Sequence, residues 1–273
     1  MTVLPEPLTP AIARRLSGRP FIALLDIDGT LAPIAKRPEQ AAVPDATRRV
    51  VAELVGMPDT VVAAVSGRAA SDAARLLGIP GMWTIGNHGF EIGAPGERPY
   101  PRENVARFAT ALAAAVSQCH VLARRHPGVI VEDKLWTLSI HYRLVHPAAV
   151  ADVVREVRQI ADRVGLRATL GRRVVELRPP LDIDKGTASV DLLRQFGAIE
   201  DGASVFCAGD DRTDEDMFRH VRAANPTAVT VRVAGSDDFP DGHSDYETSA
   251  ELSVSDPEAL RDLLVAIIEL RRA

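Results

Sequence analysis

Along the first ninety residues, short apolar runs alternate with helical patterns. Phe21 to Ile27 forms an apolar run, Pro44 to Val55 puts Val50, Val51 and Leu54 on one helical face, and Val61 to Val65 is a second apolar run. The order is strand, helix, strand. Ala69 to Leu77 predicts a short helix, and the Gly-rich stretch from Trp83 to Ile92 predicts a small hairpin-like region. Such alternation predicts a parallel sheet with helices on both faces.

Between Glu97 and Pro180 the pattern changes. A helix is expected from about Asn104 to Arg124, with Val105, Phe108, Leu112, Val116 and Cys119 at i+3 and i+4 steps, followed by strands at Val129 to Glu132 and Trp136 to Tyr142. A second helix, Pro147 to Val164, is again followed by two strands, Leu166 to Leu170 and Arg173 to Leu177. Two αββ units predict a four-stranded antiparallel sheet with helices on one face. After Pro179 and Pro180 the β/α alternation returns: helix Lys185 to Phe196, strand Ser204 to Ala208, helix Thr213 to Val221, strands Ala228 to Val233 and Ala250 to Val254, and a last helix from Asp256. The expected organisation is therefore a core (1–98 and 181–273) interrupted by a small inserted α+β domain (99–180). Its junctions, Gly93 to Pro99 and Arg178 to Pro180, are rich in Pro and Gly and suit hinges.

The 273 residues fit one large domain or two modest ones, and 46% hydrophobic with 25% charged residues is ordinary globular composition. No run near the N-terminus approaches the ~20 apolar residues of a membrane helix, and Met1 to Pro20 has no stretch of signal-peptide character. A cytoplasmic protein is expected. The net charge of -5, with no basic block or stripe, argues against nucleic acid or a membrane surface as partner. Cys119 and Cys207 lack metal-clip spacing and are expected as buried thiols.

Asp26 and Asp28 emerge directly from the first apolar strand and are followed by Gly29 and Thr30. In a parallel α/β sheet the carboxyl ends of the strands line the ligand crevice, so the first strand would present both acids there. A plain strand-to-turn junction is the bland alternative. A second acidic cluster, Gly209 to Asp216, follows another apolar strand and holds five acids in seven residues. Two unit charges ~4 Å apart interact by about 4 kcal/mol at an effective dielectric of ~20, so a site gathering Asp26, Asp28 and Asp210 demands a cation. Oxygen ligands without His or Cys favour Mg²⁺. Part of the run suits a helix N-terminus, the role expected of Asp216. Ser66-Gly67-Arg68 closes the second strand, and Lys185 opens a helix; a hydroxyl and an ammonium at such ends suit the non-metal oxygens of a phosphoryl group.

Asp26-Ile27-Asp28-Gly29-Thr30, Ser66-Gly67-Arg68, Lys185-Gly186 and Gly209-Asp210-Asp211 together resemble the haloacid dehalogenase superfamily of phosphatases. Gly86 to Glu91, Glu132-Asp133-Lys134, His141-Tyr142-Arg143, Glu176 to Pro179 and Gly209 to Glu215 narrow the resemblance to its trehalose-6-phosphate phosphatase family. The fold so implied is a Rossmann-like α/β core with an inserted αββαββ cap. The implied chemistry is two-step hydrolysis of trehalose 6-phosphate, the last step of trehalose biosynthesis, coupled in function to a trehalose-phosphate synthase. Asp26 would be the nucleophile that becomes an aspartyl phosphate, and Asp28 the acid and then the base. Mg²⁺ would be held by the Asp26 carboxylate, the Asp28 carbonyl and Asp210, with Asp211 and Asp214 behind them. Ser66 and Lys185 would bind phosphoryl oxygens. Sugar recognition would fall to Lys134 and Glu176 of the cap and to Arg68, Asn87, His88 and Gly89 of the core, with cap closure expelling water.

Two readings compete. The same chemistry could act on sucrose phosphate, a mannosyl phosphoglycerate or a hexose monophosphate, or the chain could be a silent sugar-phosphate sensor. The intact set Asp26, Asp28, Ser66, Lys185 and Asp210 argues against a pure binder, which needs no nucleophile and acid together.

Overall fold

The computed structural model describes residues 8–35, 40–171, 173–200, 202–234 and 247–273. The first seven residues of the N-terminal stretch read above thus lie outside the described part. The chain forms two compact units, Met1–Pro99 with Ile183–Ala273, and Tyr100–Asp182.

The first unit opens with α1 (Pro10–Arg15), β1 (Phe21–Leu25), α2 (Asp45–Val55), β2 (Thr60–Val65), α3 (Ala70–Leu77), β3 (Trp83–Gly86) and β4 (Glu91–Gly93). The second unit holds β5 (Tyr100–Pro101), α4 (Ala109–Arg125), β6 (Ile130–Asp133), β7 (Leu138–His141), α5 (Val150–Val164), β8 (Arg167–Gly171) and β9 (Val174–Arg178). The chain then returns to the first unit with α6 (Lys185–Gln195), β10 (Ser204–Gly209), α7 (Arg212–Ala224), β11 (Val229–Val233), β12 (Leu252–Val254) and α8 (Pro257–Arg272).

Within the first unit the strands lie in the order β12-β11-β10-β1-β2-β3-β4. All neighbours are parallel except β3 and β4, which pair antiparallel with Gly86 opposite Glu91. β1 sits between β10 and β2 and is buried at every position, as a central parallel strand covered on both faces must be. Its side chains divide between two cores. Phe21, Ala23 and Leu25 pack with Val51 and Leu54 of α2 and Leu260, Leu264 and Ile267 of α8, whereas Ile22 and Leu24 pack with Leu192 of α6 and Phe218 of α7. This is the doubly covered α/β core expected from the alternation.

In the second unit the sheet order is β6-β7-β9-β8, with every pair antiparallel. Leu138, Ile140, Val175 and Leu177 alternate along β7 and β9 and pack on Leu112, Cys119 and Leu122 of α4 and on Val153, Val157 and Ile160 of α5. The opposite positions, Glu132, Ser139, Glu176 and Thr169, stand in cross-strand register as one polar row. The expected helix from Asn104 begins later. Ala106–Phe108 is a tight 3-10 turn, and the regular helix starts at Ala109. Both cysteines are free and buried. Among the described residues no helix is long and apolar enough to cross a membrane.

Candidate active site

Three neighbouring strands of the first unit, β10, β1 and β2, deliver the chemistry at their carboxyl ends. The Asp26 amide continues the β1–β10 ladder by donating to the Ala208 carbonyl at 3.0 Å, which fixes the start of the loop. The chain then turns tightly: the Thr30, Leu31 and Ala32 amides all point at the Ile27 carbonyl, and the Gly29 amide donates to that of Ala32 at 2.7 Å. Gly29 has φ +91, and a Cβ there would lie 2.0 Å from Asp210 Oδ2. Only glycine lets this loop lie against the end of β10.

The acids separated along the chain do converge. One oxygen each from Asp26, Asp210 and Asp214 lies within 4.8 Å of the other two. Lys185, the first residue of α6, reaches in from the other side, and its Nζ donates at 2.7 Å to Oδ1 of Asp26 and at 2.7 Å to Oδ1 of Asp214. Asp184 caps α6 through the Thr187 amide at 2.7 Å and so sets where Lys185 points. The second oxygen of Asp214 accepts the Asp210 and Asp211 amides at 3.0 and 3.1 Å. Asp214 thus ties the lysine to the loop that presents Asp210.

Removal from water dominates the electrostatics. Burial pushes the Asp26 carboxyl up to about 6, against the pull of Lys185 and with the push of Asp211 and Asp28. Asp210 is raised well above the carboxylate range by burial and then by Asp26 and Asp211. Asp214 is raised by burial, which outweighs Lys185. Burial opposes the charge of Lys185, yet Asp214 and Asp26 more than offset it and hold the ammonium protonated far above neutrality. Asp211 goes the other way, to about 2: burial would raise it, but Lys185 and the Thr213 hydrogen bonds prevail.

Asp28 is treated differently from Asp26. Arg68 donates from Nε and Nη2 to its two oxygens, each at 2.7 Å, and from Nη1 to Asp72 at 3.0 Å. Its carboxylate is therefore not one of the three that cluster beside Lys185. Ser66 is buried, and its Oγ accepts the Arg68 amide at 3.2 Å. Asn87, expected to touch substrate, is fully buried and donates from Nδ2 to Glu91 at 2.7 Å. His88 follows it in a left-handed turn, and Gly89, with φ +102, packs where a Cβ would come within 2.3 Å of the Asp184 carbonyl at the start of α6.

One expectation needs correcting. Asp216 does not supply the helix terminus, because α7 starts at Arg212 and Asp211 caps it, accepting from the Thr213 and Asp214 amides at 2.8 and 3.2 Å. Asp216 lies beyond the first turn and pairs with Arg219. Asp214 and Glu215 fill the first turn instead, and Glu215 is buried, accepting from Thr248 Oγ1 at 2.7 Å and the Ser249 amide at 2.6 Å. Asp72 lies outside the motifs, and Glu91 closes the Gly86 to Glu91 motif without a role assigned to it there; each pairs with an expected site residue. Asp72 stands in the first turn of α3, and Arg68 reaches it from the loop just before that helix. Glu91 is an acid flanked by Phe90 and Ile92, and a lone acid in an apolar stretch needs a buried donor.

In the second unit Lys134 and Glu176 share one polar sheet face. Lys134 Nζ lies 3.8 Å from Glu176 and 4.0 Å from Glu132. His141 Nε2 lies 2.8 Å from Glu132, Ser139 Oγ lies 3.4 Å from Glu176, and Arg178 also pairs with Glu176.

A family model described as trehalose-phosphatase matches residues 24–256, spanning both units and every candidate site residue. The chain belongs to the trehalose-phosphatase family. A trehalose-phosphate phosphatase of Mycobacterium leprae is 36% identical over 245 residues, 87% of this chain and 56% of that protein. An uncharacterized glycosyl hydrolase of Mycobacterium tuberculosis is also 36% identical, over 77% of this chain but only 16% of that protein. The chain spans from 16% to 64% of the length of such relatives. Among solved structures, the trehalose-6-phosphate phosphatase of Aspergillus fumigatus aligns with TM-score 0.63 and 26% identity over 96% of each chain. A protein described as related to trehalose-6-phosphate phosphatase aligns with TM-score 0.76 at 23% identity, over 92% of this chain and 100% of that one. The family and its fold are those that the sequence motifs implied.

Proposed function

We propose that this chain is a Mg²⁺-dependent phosphatase that hydrolyses trehalose 6-phosphate to trehalose and phosphate. The observation that carries the reading is the meeting of Asp26 and Asp210, at the ends of the adjacent strands β1 and β10, with Asp214 and Lys185 from the first turns of α7 and α6. Three carboxylates with one ammonium between them are short of positive charge, and their donors are all hard oxygens, which fits a divalent cation such as Mg²⁺. Asp26, Asp210 and the Asp28 carbonyl would hold it. When bound, it would neutralise charge on the phosphoryl oxygens.

The rest of the chemistry falls to side chains. Asp26 attacks phosphorus, the bond to the sugar oxygen breaks, and Asp28 gives that oxygen its proton. Asp28 then takes a proton from the water that attacks the aspartyl phosphate, and phosphate leaves with the Asp26 carboxylate restored. Arg68 donates to both oxygens of Asp28. Asp28 must therefore exchange the guanidinium for the leaving oxygen, which makes Arg68 available to the incoming phosphate ester. Lys185 and Ser66 stabilise the remaining phosphoryl oxygens. Lys134 and Glu176, with paired donors and acceptors on one sheet face, are the proposed readers of the sugar hydroxyls, and His88 and Gly89 contribute from the first unit. A trehalose-phosphate synthase would supply the substrate, and the proposed compartment of the reaction is the cytoplasm.

The test is release of phosphate from trehalose 6-phosphate with and without Mg²⁺, beside Asp26→Asn. Turnover should require the cation and fall by several orders of magnitude in the variant. Undiminished hydrolysis in a chelator would defeat the mechanism, and equal kcat/KM on glucose 6-phosphate would defeat the choice of sugar.

A further inference from the structure

The buried carboxylate of Glu91 takes no part in the steps above, yet it joins two segments that do. Its Oε1 accepts the Ala70 amide at 2.6 Å and Asn87 Nδ2 at 2.7 Å. Ala70 is the first residue of α3, directly after the loop that carries Ser66 and Arg68. Asn87 opens the turn that carries His88 and Gly89. The same two segments are laced by backbone bonds, Asn87 amide to Arg68 carbonyl at 2.7 Å and His88 amide to Ser66 carbonyl at 3.0 Å. They also press together at two glycines. A Cβ on Gly86 would lie 2.3 Å from the Ala70 amide nitrogen, and one on Gly67 would lie 2.5 Å from His88 Nε2.

The turn held in this way is strained. Asn87 and His88 have φ of 52° and 54°, consecutive left-handed conformations at residues with a Cβ. Such a turn persists only where its surroundings over-determine it, and the Asn87 to Glu91 bond is one of the constraints. Burying an acid among Phe90, Ile92 and the sheet is costly, so a carboxylate placed there with two N–H donors has a purpose beyond filling space.

We infer that Glu91 is a positioning residue: through Ala70 and Asn87 it sets the Ser66-Gly67-Arg68 loop against the His88 turn, and so aims Arg68 at Asp28. This rests on the proposed phosphatase reaction, in which Arg68 and Asp28 exchange partners. Its contribution is to orientation, where a displacement of ~1 Å can cost about 10²-fold in rate.

The test uses Glu91→Leu, Asn87→Asp, and the double variant Asn87→Asp with Glu91→Gln in the whole chain. Glu91→Leu removes the acceptor, and Asn87→Asp sets two carboxylates face to face. In the double variant the new side-chain amide at position 91, turned slightly because one oxygen of Glu91 serves both donors, would accept from Ala70 with its oxygen and donate from its nitrogen to the new carboxylate at position 87. The expected result is a loss of about 10²-fold in kcat for each single variant, with Mg²⁺ affinity held within about twofold, and recovery of at least tenfold in the double variant. Hydrogen exchange at the Ala70, Asn87 and His88 amides should quicken in the single variants and slow again in the double one. That readout needs no activity, so it judges Glu91 even if trehalose 6-phosphate is not the substrate. Single variants that turn over like the parent would overturn the inference, as would a double variant no better than either. If Glu91→Leu does not fold, the comparison of Asn87→Asp with the double variant decides alone.

Discussion

Lys185 donates to Asp26 at 2.7 Å with both side chains almost wholly withdrawn from solvent, at 2% and 5% exposure. Such a pair is costly to break, since removing one partner strands the other's charge, typically at about 3–5 kcal/mol. Lys185→Met should therefore lower the melting temperature of the metal-free protein markedly. The ammonium also competes with a cation for the same carboxylates, so Mg²⁺ affinity should not fall in the variant, whereas turnover should fall at least ~10²-fold. Calorimetric titration beside a phosphate-release assay separates the two effects, and weaker Mg²⁺ binding would contradict this account.

Metal binding should depend on pH with a definite sign. Asp26 is raised to about 6 and Asp210 is raised as well, so below about pH 6 a cation must displace protons from these carboxyls to bind. A carboxyl raised above its unfolded value of 3.8 disfavours the fold once ionised, so this contribution weakens stability as pH rises from about 4 to about 6. Mg²⁺ reverses the sign by favouring the ionised carboxylates. The stabilisation produced by Mg²⁺ should be small at about pH 5 and grow toward about pH 7, as measured by the difference in melting temperature with and without the ion. A constant difference across that range would refute the assignment.

Gly29→Ala should impair the site while sparing the fold. The added methyl would fall 2.0 Å from Asp210 Oδ2 on a backbone at φ +91, so either the loop or the carboxylate must yield. The left-handed conformation alone costs about 1–2 kcal/mol. Mg²⁺ affinity and turnover should fall together, by about tenfold or more, with the far-ultraviolet spectrum unchanged.

Asp72→Asn should reduce kcat/KM several-fold by loosening Arg68, whose other partner is Asp28. Arg75, which also pairs with Asp72 but is 81% exposed, supplies the control. Arg75→Ala should leave steady-state kinetics within about twofold, since exposed ion pairs contribute little. Equal losses in the two variants would show that the helix surface, and not Arg68, matters.

The central strands are legible in the sequence because burial on both faces writes an uninterrupted apolar run, as at Phe21 to Leu25. Helix α1 is not. Its six residues are too few for a periodic stripe, although Thr9 and Pro10 spell its N-terminus, the Thr9 side chain capping the Ile12 amide. The pattern places the start of α4 too early because bulky residues at Val105 and Phe108 continue the spacing, whereas the buried stripe of the regular helix runs through Leu112, Ala115, Cys119 and Leu122. In the candidate site, Asp26, Asp210 and Lys185 stand out as polar residues at the ends of apolar or periodic elements. The division of labour inside the acidic run does not, because choosing between Asp211, Asp214 and Asp216 depends on where α7 begins to within one residue. Glu91 is marked in the sequence as an acid in an apolar stretch, but that it meets Asn87 and Ala70, and that Asp72 meets Arg68, is disclosed only by spatial neighbours.

The sheet order carries a consequence for biosynthesis. β10, which presents Asp210, lies beside β1, yet residues 100–182 are translated between them. A nascent chain that has just completed the inserted unit holds Asp26, the proposed nucleophile, but neither Lys185 nor Asp210 and Asp214. Until β10 emerges from the ribosome, one long edge of β1 stays open and the carboxylates of the candidate site cannot assemble.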